Sequence, residues 1–377
     1  MLQALCGART FTGEHFLDGY AVLLEGGRVA DVLPVAQVPA EAARQDLGGG
    51  LLAPGFLDAQ INGAGGVLFN DTPTAAGMAA IAAAVRPTGT TGLLPTFITD
   101  RPERRALAVE AFRAAAGMPG ILGLHLEGPY LARVRKGAHD PALIVPMTDA
   151  DVDTLIAAGA DAGTLLVTVA AENATPVQIR RLADAGVIVS LGHSDASYDV
   201  ARAAADAGAR GVTHLFNAMS QLGHRAPGVV GAALDHGGLW GGIIADGHHV
   251  DPAALRVALR AKRGPGRLFL ISDAMPPVGV PGDSFTLSGR HVTRRAGKLL
   301  LDDGTLAGAD LTMDGALRFA VATLDVSLGE ALRMASLYPA EFLRLDRDRG
   351  RIARGYLADL VHLDDALQVR RTWIGGN

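Results

Sequence analysis

From Leu52 onward the chain alternates short apolar runs with alanine-rich stretches whose apolar residues recur at helical spacing. Eight such runs stand at 52–58, 91–96, 120–126, 164–169, 187–191, 211–214, 241–245 and 267–272. They are almost continuously apolar, the pattern of parallel strands covered on both faces. Helical stretches follow most of them, at 74–86, 101–116, 150–158, 175–185, 196–207 and 252–262, with two more at 312–324 and 328–336. Thr148-Asp149 and Thr175-Pro176 mark helix starts, where a threonine hydroxyl can take up a free backbone N–H. Eight strands alternating with helices predict an α/β protein in which residues 52–345 close into a (β/α)8 barrel.

The two chain ends break this rhythm. Ala21-Val22-Leu23-Leu24 and Val29-Ala30-Asp31-Val32 flank Glu25-Gly26-Gly27-Arg28, a hairpin signal. Residues 352–374 return to short strands around Asp359-Leu360-Val361-His362-Leu363. Residues 1–51 and 346–377 are therefore expected to share a small β-sandwich domain. Residues 284–301, closed by Asp302-Asp303-Gly304, are expected to be a β-hairpin inserted after the eighth strand.

Charge removes several classes of function. Lys and Arg number 34 against 39 Asp and Glu, net −5, with no run of like charge, which argues against a nucleic-acid groove or an anionic-membrane surface. Residues 1–30 lack the basic start and apolar core of a signal peptide, and no stretch is long and apolar enough to span a bilayer. The single cysteine, Cys6, excludes an internal disulfide and a thiolate zinc cluster. A soluble, cytoplasmic protein is the expectation.

In a barrel of this kind, polar residues at the C-terminal strand ends build the active site. The third run ends in His125-Leu126-Glu127, the fifth leads into His193-Ser194, and the sixth ends in Thr213-His214. Any one of these histidines reads simply as a hydrogen-bonded core residue. Together Glu127, His193 and His214 bring one carboxylate and two imidazoles from three strand ends, which is how a catalytic zinc is held with room for water. A single divalent metal is expected. Asp273 ends the last strand, where a carboxylate can take a proton from an activated water and pass it to a leaving amine. Gln60 and Asn62, two apart on the first strand, share a face; neutral amides are poor zinc ligands, so that position is expected to hold water or a hydrogen-bond network in place of a second metal.

Asn217-Ala218, Arg225 and His249 could bind an anion, or could be ordinary loop residues. His139, in Arg135-Lys136-Gly137-Ala138-His139, could polarise a carbonyl or lie exposed. The residues alone leave both alternatives open.

At this point the sequence resembles the N-acetylglucosamine-6-phosphate deacetylases of the amidohydrolase superfamily. The likeness spans nearly the whole chain, from Phe11-Thr12-Gly13 and Phe16-Leu17-Asp18 to Met334-Ala335-Ser336-Leu337-Tyr338-Pro339-Ala340. Its most specific stretches are Pro54-Gly55-Phe56-Leu57-Asp58, His125-Leu126-Glu127-Gly128-Pro129, Gly192-His193-Ser194 and Thr213-His214-Leu215-Phe216-Asn217-Ala218-Met219. The resemblance implies that Glu127, His193 and His214 bind a metal, usually Zn²⁺, and that Asp273 is general base and then acid. It also implies that His139 helps polarise the acetamide carbonyl, with Ala138 touching the sugar. Asn217, Ala218, Arg225 and His249 would hold phosphate and sugar, and Leu306-Ala307-Gly308 would close over them. A second subunit completes the phosphate pocket in such enzymes, implying a homodimer. Gln60 and Asn62 match the branch that works with one metal.

The expected reaction is hydrolysis of N-acetylglucosamine 6-phosphate to glucosamine 6-phosphate and acetate. The rival readings are an amidohydrolase acting on another N-acyl or cyclic amide, and a non-catalytic barrel that binds a sugar phosphate.

Overall fold

The computed structural model describes residues 2–160 and 163–377. Eight parallel strands form the barrel: Phe56–Ile61, Thr90–Ile98, Gly123–Glu127, Thr164–Val169, Ile188–Leu191, Gly211–Val212, Trp240–Ile244 and Leu268–Ile271, each hydrogen-bonded to the next. All nine residues of Thr90–Ile98 are buried, which accounts for the missing polar alternation: one face fills the barrel and the other meets helices. The seam between last and first strands closes at the catalytic end. The Asp273 N–H donates to the Gln60 carbonyl and the Asn62 N–H to that of Ala274, both at 2.9 Å.

The helices cover the barrel by the rules their sequences suggest. Asp149–Gly159 and Pro176–Asp184 each open on a reciprocal threonine cap, Thr148 with Asp151 and Thr175 with Gln178. Pro176–Asp184 turns Ile179 and Leu182 inward. Two helices escaped the sequence reading. Gly228–Asp235 is buried along nearly its whole length, so it has no polar face to create a period. Leu337–Phe342 is only six residues long and carries Pro339.

The apolar run at 52–58 proves to be two strands. Leu51–Pro54 pairs antiparallel with Leu360–Leu363 and parallel with Arg9–Phe11, outside the barrel; the first barrel strand begins at Phe56. Gly55 separates them where strand two passes so close that a Cβ would meet the Thr91 side chain at 2.2 Å. The two chain ends build a β-sandwich. A four-stranded sheet (Gln3–Cys6, Tyr20–Glu25, Arg28–Pro34, Ala43–Asp46) faces a five-stranded one containing Leu51–Pro54, Leu360–Leu363 and Val369–Trp373. Leu5, Val22 and Leu24 from one sheet and Leu52, Leu360 and Trp373 from the other share a core.

The insert after strand eight is larger than a hairpin. Ser284–Leu287, Arg290–Arg295, Lys298–Leu301 and Leu306–Ala309 form a four-stranded antiparallel sheet, with Asp302-Asp303-Gly304 turning into the fourth strand. Leu287, Val292, Leu299 and Leu301 pack with Leu68, Ile98 and Met275, so the sheet sits over the barrel mouth.

Candidate metal and catalytic centre

A cavity of about 320 Å³ opens at the C-terminal ends of the strands. Glu127, the last residue of strand three, lies at its floor with His193 and His214, which follow strands five and six. His193 Nε2 is 3.1 Å from Glu127 Oε1, His214 Nε2 is 2.9 Å from the same oxygen, and the two nitrogens are 3.1 Å apart. Three donor atoms thus meet at the spacing of ligands around a small divalent ion. His193 Nδ1 lies 2.8 Å from the Arg135 carbonyl. A carbonyl only accepts, so Nδ1 carries the proton and Nε2 presents its lone pair, as metal ligation requires. His193 (φ 47°), His214 (φ 31°) and Asp273 (φ 49°) all take left-handed backbone, uncommon for residues with a side chain and concentrated here at the functional cluster.

Glu127, His139 and His193 form an alternative donor set, with atoms within 4.8 Å of one another. It is looser, because His139 Nε2 stands 3.8 Å from Glu127 Oε2. The set containing His214 is the tighter of the two.

Burial works to raise the Glu127 carboxyl, but the His193 and His214 imidazoles beside it outweigh that and hold the group well below the usual carboxylate range. Asp273 moves the other way, raised by burial and then by the Glu127 charge. One of its oxygens, Oδ1, accepts from Asn62 Nδ2 at 2.6 Å and from Gln60 Nε2 at 3.2 Å. Gln60 Nε2 also lies 3.3 Å from Glu127 Oε1. The two amides share one face and form a hydrogen-bond network linking the carboxylates. Burial, then the neighbouring His193, pushes His139 down to about 3, so its ring is neutral. His125 reaches no ligand position. Its ring spans Thr96 and Thr168 in the barrel interior, and burial lowers it to about 4.

Asn62, Ala138, His139, Asn217, Ala218, His249, Asp273, Leu306, Ala307 and Gly308 all line the cavity. Arg225 does not; it is exposed in the loop after strand six. His249 faces the cavity with Nδ1 2.7 Å from Asp246 Oδ2, whereas His248 is exposed. Sequence reasoning missed Arg135, whose carbonyl orients His193, and Thr99, which touches His139. Thr99 follows strand two directly; because that strand runs to Ile98 rather than stopping at 96, Thr99 is a strand-end residue like the others. Val134 is 77% exposed at the cavity rim.

Residues 51–377 match the amidohydrolase family, and residues 2–52 match the NagA composite domain. The chain is 39% identical, over 98% of its length and 94% of the relative's, to N-acetylgalactosamine-6-phosphate deacetylase of Shewanella sp. (strain ANA-3). It is 36% identical to N-acetylglucosamine-6-phosphate deacetylase of Haemophilus influenzae, covering 100% and 99% of the two chains. Among solved structures, N-acetylglucosamine-6-phosphate deacetylase from Pasteurella multocida superposes with a TM-score of 0.96 at 38% identity, over 100% of this chain and 99% of that one. With the barrel, the strand-end cluster and these full-length likenesses together, the chain belongs to the amidohydrolase family.

Proposed function

We propose that this protein hydrolyses the acetamide of N-acetylglucosamine 6-phosphate to give glucosamine 6-phosphate and acetate. The observation that carries the reading is the placement of Asp273, whose Oδ1 is held by Asn62 and Gln60. Its other oxygen is left for proton transfer, in a cavity floored by Glu127, His193 and His214. Full-length relatives are named as deacetylases of such sugar phosphates.

Glu127, His193 and His214 would hold one divalent metal, and a carboxylate with two imidazoles suits zinc. Such an ion supplies Lewis acidity to a carbonyl oxygen and makes a water more acidic. Asp273 takes a proton from the water that attacks the carbonyl carbon. It then delivers that proton to the amine nitrogen as the C–N bond breaks, leaving acetate and the free amino sugar. His139 donates to the carbonyl oxygen as negative charge builds there.

Asn217, Ala218 and His249 receive the phosphorylated end of the sugar. Phe216 (φ 79°) and Ala218 (φ 50°) take left-handed backbone in the turn that carries Asn217 into the cavity wall. Ala138, with Leu306, Ala307 and Gly308, covers the sugar. Arg225 is exposed, as is Leu222 three positions earlier (52%), which suits a homodimer in which Arg225 reaches the phosphate in the partner's cavity. No helix among the described residues is long and apolar enough to cross a membrane; the cytoplasm is the location proposed for the enzyme, where the lone Cys6 would stay reduced.

The test is acetate release from N-acetylglucosamine 6-phosphate, from its 4-epimer N-acetylgalactosamine 6-phosphate, and from the unphosphorylated sugar, with metal content measured on the same sample. Turnover of the first, well above the unphosphorylated sugar, supports the reading. The 4-epimer arm is included because relatives of similar identity are named for each epimer. Turnover of that epimer alone, or no release from metal-loaded protein, overturns the substrate assignment.

A further inference from the structure

We propose that Thr99 is a positioning residue that sets the tautomer of His139, keeping the ring proton on Nε2, the nitrogen that faces the reacting carbonyl. His139 lies in a loop, and its only hydrogen-bonding anchor behind the ring among the described residues is Thr99. Thr99 Oγ1 is 2.8 Å from His139 Nδ1, and the Thr99 backbone N–H donates to the same nitrogen at 3.4 Å. Both residues are buried, 3% and 4% exposed, so water does not compete for these contacts.

The hydroxyl can rotate and taken alone would allow either tautomer. It also lies 3.4 Å from the Glu127 carbonyl, which offers it a second acceptor. The backbone N–H cannot rotate. Its hydrogen points at Nδ1, so a second hydrogen on that nitrogen would bring two donors face to face. With one proton on the ring, Nδ1 accepts from both Thr99 donors and Nε2 carries the hydrogen. On the far side, Nε2 stands 3.8 Å from Glu127 Oε2, a carboxylate that favours a proton there.

The N–H direction is itself clamped. Asn70, 5% exposed, accepts from the Ile98 N–H at 2.9 Å and donates to the Ile98 carbonyl at 3.1 Å, fixing the peptide that precedes Thr99. The consequence reaches the metal. A ring protonated at Nε2 has no lone pair facing Glu127, so Thr99 holds His139 as a donor to substrate and excludes it from the looser donor set with Glu127 and His193.

The kinetic part of this inference rests on the deacetylase reading; the tautomer does not. The experiment is therefore nitrogen NMR of the metal-loaded enzyme with labelled histidine, with the His139 signals assigned by their loss in His139→Gln. The wild-type ring is expected to show a protonated Nε2 and an unprotonated Nδ1. Asn70→Ala, which frees the peptide before Thr99 and so the direction of its N–H, is expected to let the ring populate the other tautomer, whereas Thr99→Val keeps that N–H and the Nε2 proton but loses the hydroxyl that steadies the ring. The kcat of Thr99→Val for acetate release falls about 10–100-fold with KM within twofold, on the scale of losing a group that orients a functional imidazole. Thr99→Ser restores the hydroxyl and is expected to stay near wild type in both readouts. A wild-type ring protonated at Nδ1, an Asn70→Ala ring that stays wholly protonated at Nε2, or a Thr99→Val enzyme with unchanged kcat overturns the assignment. A wild-type ring protonated at Nε2 in an enzyme that releases no acetate leaves the tautomer assignment standing and sinks the substrate instead.

Discussion

Asn62 Nδ2 donates to Asp273 Oδ1 across 2.6 Å, joining the end of the first barrel strand to the end of the last. The bond crosses the barrel seam at the catalytic mouth, beside the 2.9 Å bond from the Asp273 N–H to the Gln60 carbonyl. One carboxylate oxygen is thereby committed to the protein, and the other is the one assigned to proton transfer in the proposed reaction.

Asp273→Asn should therefore keep the fold and the metal but lose about 10²–10⁴-fold in kcat, the usual worth of general acid–base catalysis. Steady-state rates beside metal content check this. Near-normal turnover would remove Asp273 from the proton-transfer role. Asn62→Ala should lower kcat as well, by freeing the carboxylate to turn, with little change in KM.

Glu127 is the hub of the proposed ligand set, since both histidine nitrogens lie within 3.1 Å of its Oε1. Glu127→Gln removes the charge and keeps the shape. Elemental analysis after dialysis should show far less than the about one metal per chain expected of wild type. Exhaustive chelation of wild type should abolish acetate release, and added zinc should restore it. A chelated enzyme at full rate would contradict a metal role.

His249→Ala and Arg225→Ala should act on binding. On the proposed reading each would remove a charge-assisted contact to a phosphate remote from the amide, so KM for the phosphorylated sugar should rise roughly 10–100-fold while kcat stays close to wild type. Turnover of the unphosphorylated sugar should be unaffected. Because Arg225 lies outside its own subunit's cavity, sedimentation should show a dimer. An Arg225→Ala enzyme with unchanged KM, or a fully active monomer, would refute the shared phosphate site.

Asp58 gives a pH signature in stability. Burial pushes its carboxyl up to about 7, although hydrogen bonds from the Ser272 hydroxyl and N–H and the Gln60 N–H act to lower it. The folded state then keeps a proton that the unfolded chain loses near pH 4. Stability from this group is fully present below that pH and is lost as pH rises through about 7, a fall of roughly 3–5 kcal/mol. In Asp58→Asn the amide oxygen still accepts the two backbone N–H groups while its NH₂ faces the Ser272 hydroxyl. Denaturant midpoints of the variant should decline less than those of wild type between pH 4 and 7. Parallel curves would show that Asp58 is ionised in the fold throughout.

Strand and helix order was legible in the linear pattern because strands covered on both faces must be continuously apolar, and the helices over them must keep one apolar stripe. Ligand-type residues could be read at the strand ends because a barrel gathers those ends at one mouth, whatever their separation along the chain. That is why Glu127, His193 and His214, 66 and 21 positions apart, can be expected to meet, as they do in the fold. Hydrophobicity cannot say which sheet a strand joins, so only the fold assigns Leu51–Pro54 to the terminal sandwich and Phe56–Ile61 to the barrel. A helix buried all round, such as Gly228–Asp235, has no contrast to betray it. The groups behind the functional side chains depend on tertiary geometry most of all. The Arg135 carbonyl on His193, the Asn62 and Gln60 amides on Asp273, and the Thr99 N–H on His139 are directional contacts between segments distant in sequence. Two of those donors or acceptors are backbone atoms, which every residue carries, so folding alone decides where they point.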